Sequence, residues 1–263
     1  MMNVKALIPM LIFLSTALAP PALWAEDCKY ETTVSARVDV NDSESLDVIA
    51  RAGTLKIQGI ESGDSALVSG RVCVSDPDWL DQASLLTDDG RRARIEVQLP
   101  DTDGGWSLWG GNRYARMDLE LEVPRSLHLV IRDSSGSMDL VGIGSADITD
   151  SSGSIEVEDA DGPLVVQDSS GSISFDRIRG DVTIESDSSG SIRGQHIEGS
   201  VLVVRDSSGS IRFSDVAGDF TVERDSSGGI VARDIGGDFT VLKDGSGDIQ
   251  SDNVRGEVRL PEG

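Results

Sequence analysis

Apolar and polar residues alternate in short stretches through residues 127–260. Pairs of apolar residues separated by one polar residue recur, such as Ile155 with Val157 and Leu164 with Val166. A period of two is typical of β-strands that bury one face. No helical period is visible in this part of the sequence. The pattern therefore predicts an all-β chain made of many short strands.

A short motif, Asp-Ser-Ser-Gly or a close variant, separates these strands at a nearly fixed interval. A second series of glycines, from Gly144 to Gly256, follows the same interval. A fixed period of about 19 residues predicts a solenoid, in which each coil has two turns and two short strands. The Asp residues that open the motif are Asp133, Asp150, Asp168, Asp187, Asp206, Asp225 and Asp244.

Strands this short cannot bury a face alone, so successive coils must stack on one another. The predicted fold is a single-stranded parallel β-solenoid (β-helix) with coils of about 19 residues and an N-terminal hairpin-rich cap or insertion. About 19 residues at roughly 3.3 Å each give a coil perimeter near 60 Å. Such a coil encloses a narrow interior, which suits a chain with only 4% aromatic residues.

The motif is interpreted first as a corner, because an Asp side chain can accept hydrogen bonds from the following backbone N–H groups. Stacking places successive Asp side chains about 4.8 Å apart. Like charges in water repel by about 0.9 kcal/mol at that distance, and one hydrogen bond contributes about 1 kcal/mol. The sequence thus predicts a solvated, salt-screened ladder. The alternative is bound Ca²⁺ at Asp168, Asp187, Asp206 and Asp225, and no other cofactor is expected.

The remaining domain organisation is less regular. Residues 1–25 are predicted to be a signal peptide, 26–45 an N-terminal extension and 46–263 the solenoid domain, with an insertion or cap at 71–124 and regular repeats at 127–260. Residues 47–70 are interpreted as a degenerate first coil, with Gly53 at its corner and the sequences TLKI and SALV as its strands.

The first 25 residues have the features of a cleaved export signal. A short basic start precedes an apolar run that is too short to span a bilayer comfortably, and Ala25 suits cleavage. Export predicts a periplasmic or secreted protein with no transmembrane segment after cleavage. An oxidising compartment in turn predicts a disulfide between Cys28 and Cys73.

The charge of the chain limits its partners. The formal net charge is −23, and loss of Lys5 with the signal makes it one unit more negative. Such a surface repels nucleic acid and anionic lipid, so neither is expected to bind.

The most unusual surface candidate is the sequence DTDGGWSLWGGNRY at 101–114. Exposed aromatic residues on a loop can stack on sugar rings or anchor a partner. Trp106, Trp109 and Tyr114 are therefore candidate binding residues. The alternative is that their rings fold back and plug the end of the solenoid.

The sequence offers no catalytic motif. The only histidines are His128 and His196, and no Ser-His-Asp set can be argued from spacing. Arg193 and Arg212 should be outward neighbours on adjacent coils, in a column that also holds Asp139 and Glu156. Such a column could form the cleft of a polysaccharide-acting enzyme, but mixed charges on a solvated face are the ordinary interpretation. The chain is therefore predicted not to be an enzyme.

The repeat resembles a known family. The sequences GDVTIESDSSGSI and GDFTVERDSSGGI, preceded by LEVPRSLHLVI, are similar to the bacterial "putative-adhesin" or toast-rack family over roughly residues 46–260. The resemblance implies a β-solenoid outside the cytoplasm or in envelope-stress systems, and it supplies no catalytic residues. We expect an exported, non-enzymatic envelope protein that binds an envelope protein or glycan, as an adhesin-like or scaffold module. The alternatives are a β-helix enzyme acting on polysaccharide and a cation-stabilised structural module.

Overall fold

The computed structural model describes residues 28–102 and 113–261. The all-β prediction is confirmed, since the described residues form 22 strands and one short 3₁₀ helix, Pro77–Gln82. The strands are β1 (Tyr30–Asp39), β2 (Ser45–Ile49), β3 (Leu55–Ile60), β4 (Ser65–Val74), β5 (Ser84–Asp88), β6 (Arg92–Gln98), β7 (Ala115–Pro124), β8 (His128–Arg132), β9 (Met138–Val141), β10 (Ser145–Thr149), β11 (Ile155–Ala160), β12 (Leu164–Gln167), β13 (Ile173–Ile178), β14 (Val182–Ser186), β15 (Ile192–Ile197), β16 (Val201–Val203), β17 (Ile211–Val216), β18 (Phe220–Val222), β19 (Ile230–Ile235), β20 (Phe239–Val241), β21 (Ile249–Val254) and β22 (Val258–Arg259).

The predicted parallel β-solenoid is confirmed, with about 7 turns whose coils lie about 19 residues apart. Each regular coil gives one strand to each of two eleven-stranded sheets. The first sheet has the order β1-β4-β7-β3-β9-β11-β13-β15-β17-β19-β21. The second has the order β22-β20-β18-β16-β14-β12-β10-β8-β2-β6-β5. Neighbouring strands from β8 onward are parallel and in register, so equivalent side chains of successive coils form columns.

The core is a set of apolar columns between the two sheets. One column consists of isoleucines on the first sheet, and a column on the second sheet includes Phe220 and Phe239, whose rings are 5.2 Å apart. Gly194 lies in the core column that also holds Phe213, and a Cβ there would lie 2.3 Å from the Phe213 ring. The thin interior thus accepts a large ring where the neighbouring coil has no side chain.

The N-terminal coils are stacked in a different order from the chain. The pair β2 and β3 lies between the later pair β8 and β9 on one side and the pair β6 and β7 on the other. The assignment of TLKI to a coil strand agrees with β3. SALV instead begins β4, which is antiparallel to β1 and β7. Strands β1 and β4 therefore form an antiparallel edge of the first sheet, and β5, antiparallel to β6, ends the second sheet.

The N-terminal segment is fastened to this edge. Strand β1 pairs with β4 along ten residues, and Cys28 is joined to Cys73 by a disulfide with a Cα–Cα distance of 5.6 Å. The described residues contain no helix long and apolar enough to cross a membrane.

A bend that the sequence analysis missed lies inside each strand of the first sheet from β11 onward. One residue there has a positive φ between 53° and 59°, while the residues directly before and after it keep the sheet register. These bends add a third inward position, occupied by residues such as Ile178 and Ile197. The bend residues are Asp159, Arg177, His196, Asp215, Asp234 and Asn253.

Candidate functional site

The outer face of the first sheet carries a column of side chains sorted by charge. In successive coils the column reads Asp139, Glu156, Ser174, Arg193 and Arg212. The expectation that Arg193 and Arg212 are outward neighbours is confirmed by their register and exposure. The column therefore changes from acidic to basic within five coils.

A hollow of about 330 Å³ lies at the basic end of this column. We call it the arginine hollow, and we define it by Ser174, Arg193, Gln195, Arg212, Ser214 and Arg233. Within the described part of the chain, none of its three arginines makes an ion pair or a side-chain hydrogen bond. Glu156, Glu158 and Asp176 line the hollow as well. Two of these carboxylates, Glu158 and Asp176, are already paired with Arg177.

A second and larger hollow, of about 750 Å³, lies on the same face nearer the N-terminal edge. Strands β1, β4, β7, β3 and β9 contribute to it. Its lining combines apolar side chains, such as the exposed Leu67, with charged ones such as Arg37, Lys56 and Glu120. We call it the edge groove. The outer face of the first sheet thus holds these two hollows among others.

The Asp residues of the repeat lie inside the solenoid. Asp133, Asp150, Asp168, Asp187, Asp206 and Asp225 are each no more than 6% exposed. The predicted Asx turns are present: Asp168 Oδ1 accepts hydrogen bonds from Ser169 N at 2.7 Å and Ser170 N at 3.2 Å. The predicted solvated ladder is wrong, because the corner turns the carboxylates inward. We call these six residues and the less buried Asp244 the aspartate ladder.

Burial changes the acidity of the aspartate ladder. Each of its seven members has at least one buried carboxylate oxygen without a hydrogen-bond partner, and Asp133 and Asp206 have two. Desolvation raises the pKa of Asp133 and of Asp206 to about 7, and that of Asp168 to about 6. Neighbouring carboxylates raise these pKa values further, whereas the backbone N–H groups lower them. Burial also raises the pKa of Asp150, Asp187 and Asp225.

A metal ion fits the aspartate ladder poorly. Calcium prefers six to eight oxygen ligands, whereas the ladder presents carboxylates in a single row. The described residues contain no group of three or more His, Cys, Asp or Glu side chains that could hold a metal ion. Calcium at Asp168, Asp187, Asp206 and Asp225 therefore stays a prediction.

Of the predicted aromatic binding residues, Trp106 and Trp109 lie outside the described residues. Tyr114 is half-buried and holds other parts of the chain: its hydroxyl accepts a hydrogen bond from Lys29 N at 3.0 Å, and its backbone N donates to Ser75 Oγ at 3.1 Å. A binding role for the three residues stays a prediction.

The structure also brings together a Ser-His-Asp trio that sequence spacing did not reveal. His128 Nδ1 lies 2.8 Å from Ser145 Oγ, and His128 Nε2 lies 3.5 Å from Asp147 Oδ2, because β8 and β10 are adjacent. A serine nucleophile also needs N–H donors for the developing oxyanion and a cavity for substrate. Neither hollow on the first sheet includes the trio, which lies on the second sheet. His196 Nδ1 is bound to Asp176 Oδ1 at 2.8 Å on the first sheet.

Comparisons with known proteins gave solved structures only. No family model matches the chain, and no curated protein matches it. A "putative cell adhesion protein" from Clostridium sporogenes is 14% identical, with a TM-score of 0.27, and the match covers 89% of this chain and 100% of that one.

Two further structures gave similar values. A "putative adhesin" from Bacteroides fragilis is 14% identical, with a TM-score of 0.33 and coverage of 87% and 97%. A "putative lipid binding protein" from Parabacteroides distasonis is 13% identical, with a TM-score of 0.33 and coverage of 88% and 97%.

Proposed function

We propose that this protein is an exported, non-enzymatic binding module of the bacterial cell envelope. The observation that carries the proposal is the outer face of the first sheet, which presents two open hollows on a rigid stack of parallel strands. Rigid and largely pre-formed hollows bind ligands at a low cost in conformational entropy. The apolar start of the sequence and the disulfide support export, since disulfides persist in oxidising compartments.

A crosslinking pull-down from native envelopes tests this function. The bait is residues 26–263, as the parent and as the Trp106→Ala/Trp109→Ala variant. Capture of a defined protein or glycan by the parent supports the proposal. Equal capture by both baits assigns the contact to the hollows on the first sheet, and capture by the parent alone assigns it to the loop at 101–114. Absence of any captured component from both baits would contradict a binding function.

An enzyme acting on polysaccharide is the second candidate, because the arginine hollow combines carboxylates with arginines. Glycoside hydrolysis ordinarily requires two carboxyl groups in complementary roles. Glu158 and Asp176 are held by Arg177, which leaves Glu156 as the one carboxylate of the hollow without an ion pair among the described residues. The hollow is therefore better suited to holding a sugar than to cleaving it.

Two activity measurements separate these functions. Incubation with oligogalacturonides, followed by detection of new chain ends, should give no product. A fluorophosphonate probe should leave Ser145 unlabelled, because Ser145 lies outside both hollows. New ends that disappear in a Glu156→Gln variant, or labelling that disappears in Ser145→Ala, would make the protein an enzyme.

A further inference from the structure

We propose that the arginine hollow binds a carboxylate-bearing sugar of an anionic glycan. The proposal rests on the proposed function, since it gives a ligand class to one of the two hollows. Arg193 and Arg212 would hold the carboxylate, and Ser174, Gln195 and Ser214 would bind the hydroxyl groups of the sugar ring.

The arginines of the hollow are placed for an anion. The parallel register sets the backbones of Arg193 and Arg212 about 4.8 Å apart, and Arg233 follows on the next coil. Two guanidinium groups on adjacent strands can converge on one anion, which offsets their mutual repulsion. No carboxylate of the described chain is paired with either group, so this favourable position is left for a ligand.

Several other arginines of the solenoid form ion pairs, unlike those of the hollow. Arg125 is paired with Asp159 and Asp161, Arg177 with Glu158 and Asp176, and Arg179 with Asp161. In a chain with a net charge of −23, partners for arginine are abundant. Arg205 and Arg224 are likewise without ion pairs among the described residues, but they lie outside the hollow, whereas Arg193 and Arg212 line it. The planar guanidinium is suited to bind a carboxylate through two parallel hydrogen bonds.

The rest of the hollow favours a sugar over a protein partner. Serine hydroxyls and a glutamine amide can both donate and accept hydrogen bonds, as sugar hydroxyl groups require. Protein interfaces depend instead on buried aromatic or aliphatic anchors. The large apolar side chains exposed on the described surface all lie outside the hollow; they are Leu67, Leu86, Leu242, Val258 and Leu260.

The acidic side of the hollow limits the length of the ligand. Glu156 and Glu158 would repel a second carboxylate placed one sugar farther toward the N-terminal coils. The strongly negative chain also opposes the approach of a long polyanion. The site should therefore accept a terminal or isolated acidic sugar, with its carboxylate directed at Arg193 and Arg212.

Isothermal titration with the methyl glycoside of galacturonic acid, which carries a single carboxylate, tests the site, and its methyl ester tests the need for the carboxylate. The test variant is Arg193→Gln/Arg212→Gln. The matched control is Arg205→Gln/Arg224→Gln, which removes the same charge from exposed positions outside the hollow. A third variant, Arg193→Lys/Arg212→Lys, keeps the charge but loses the planar group. Circular dichroism and thermal melting establish that each variant is folded.

The parent should bind the free acid and not the ester. We expect the test variant to weaken binding at least tenfold, the lysine variant to weaken it by less, and the control to change it by less than twofold. An equal loss in test variant and control, binding of the ester, or no binding by the folded parent would overturn the inference. In the pull-down, capture that the test variant retains would overturn only the assignment of the ligand to the arginine hollow. No capture by the parent would overturn the binding function itself.

Discussion

At the scale of single residues, the aspartate ladder carries a high free-energy cost, because its carboxylates are buried without full hydrogen bonding. An ionised carboxylate that is buried without a partner is strongly unfavourable, and such groups usually take up a proton instead. Asp206 is fully buried, and neither of its side-chain oxygens has a partner. Its pKa is raised to about 7, so a proton taken up by Asp206 relieves both the lost hydration and the repulsion from Asp187 and Asp225.

Replacing Asp206 by Asn should therefore stabilise the protein at pH 8. The amide is neutral and can donate hydrogen bonds to the unpartnered oxygens of Asp187 and Asp225. We expect a gain of about 1–3 kcal/mol in the free energy of unfolding, the usual cost of leaving a buried polar group unsatisfied. Urea denaturation at pH 8 and pH 5 measures it, and the gain should shrink at pH 5. Asp252→Asn, at an exposed position, should change little. A loss of stability in Asp206→Asn at pH 8 would contradict an unfavourable buried charge at Asp206.

The burial of the ladder could not be predicted from the pattern of residues, although its turns could. Asx turns follow from Asp, Ser and Gly in sequence, and Asp168 forms one. Alternation assigns a polar residue to the solvent side, whereas the stacked corners direct the Asp side chains into the solenoid. The bends were missed for a related reason. Asp, Asn and His tolerate positive φ, and Asp215, Asp234 and Asn253 were the available signal, but Arg177 at the same position hides it.

At the scale of elements, the corners depend on glycines that lie directly above one another. Gly209 has a φ of +132°, and a Cβ there would lie 1.5 Å from the carbonyl oxygen of Gly190 on the preceding coil. Gly209→Ala should thus separate two coils and cost more than about 3 kcal/mol, well above an ordinary substitution. Gly90→Ala, where a Cβ meets nothing within 4 Å, is the control. Similar melting temperatures for the two variants would contradict the stacked-corner explanation.

The disulfide should be a main fastening of β1. It joins residues separated by 45 positions, and the entropy of closing such a loop in the unfolded chain corresponds to about 4 kcal/mol. Cys28→Ser/Cys73→Ser should lower the free energy of unfolding by roughly that amount. Denaturation of oxidised parent, reduced parent and variant measures the loss. A reduced parent as stable as the oxidised one would show that β1 is held by its pairing with β4 alone.

The regular strands were predictable because each coil repeats the same pattern, so one correct assignment extends to all. The N-terminal strands were not, because β2 and β3 stack between elements that come later in the chain. SALV has the alternation of a coil strand, yet β4 pairs antiparallel with β1 and β7. Alternation reports which face of a strand is buried; it does not report the partner of the strand.

At the scale of the whole molecule, the candidate sites also differ in how far the sequence could predict them. The neighbouring positions of Arg193 and Arg212 follow from the period alone. The approach of His128 to Ser145 required the register of β8 on β10, and β8 precedes the part of the chain where the period becomes constant. The hollows themselves depend on the twist and packing of eleven strands, which no local pattern reports.

The aspartate ladder should make the whole protein most stable in mild acid. The pKa of each of the six buried Asp residues of the ladder is raised above its ordinary value of 3.8, so the folded state binds more protons than the unfolded state above that pH. The stabilisation is complete below about pH 4 and is lost as pH rises through about 6–7, where Asp168, Asp133 and Asp206 lose their protons. Surface repulsion acts in the same direction but is screened by salt, whereas the buried ladder is screened much less.

Thermal melting in 0.5 M NaCl between pH 5 and pH 8 measures this effect. We expect a higher melting temperature at pH 5 by several degrees, since about 1 kcal/mol moves the midpoint by roughly 2–4 °C in a chain of this size. Parallel melts at pH 8 in EDTA and in excess Ca²⁺ distinguish neutralisation of the ladder by protons from neutralisation by bound Ca²⁺. Equal midpoints in the two solutions, with a clear rise toward pH 5, mean that protons neutralise the ladder. A rise only with Ca²⁺ would mean that the solenoid carries its buried charge by binding cations between its coils.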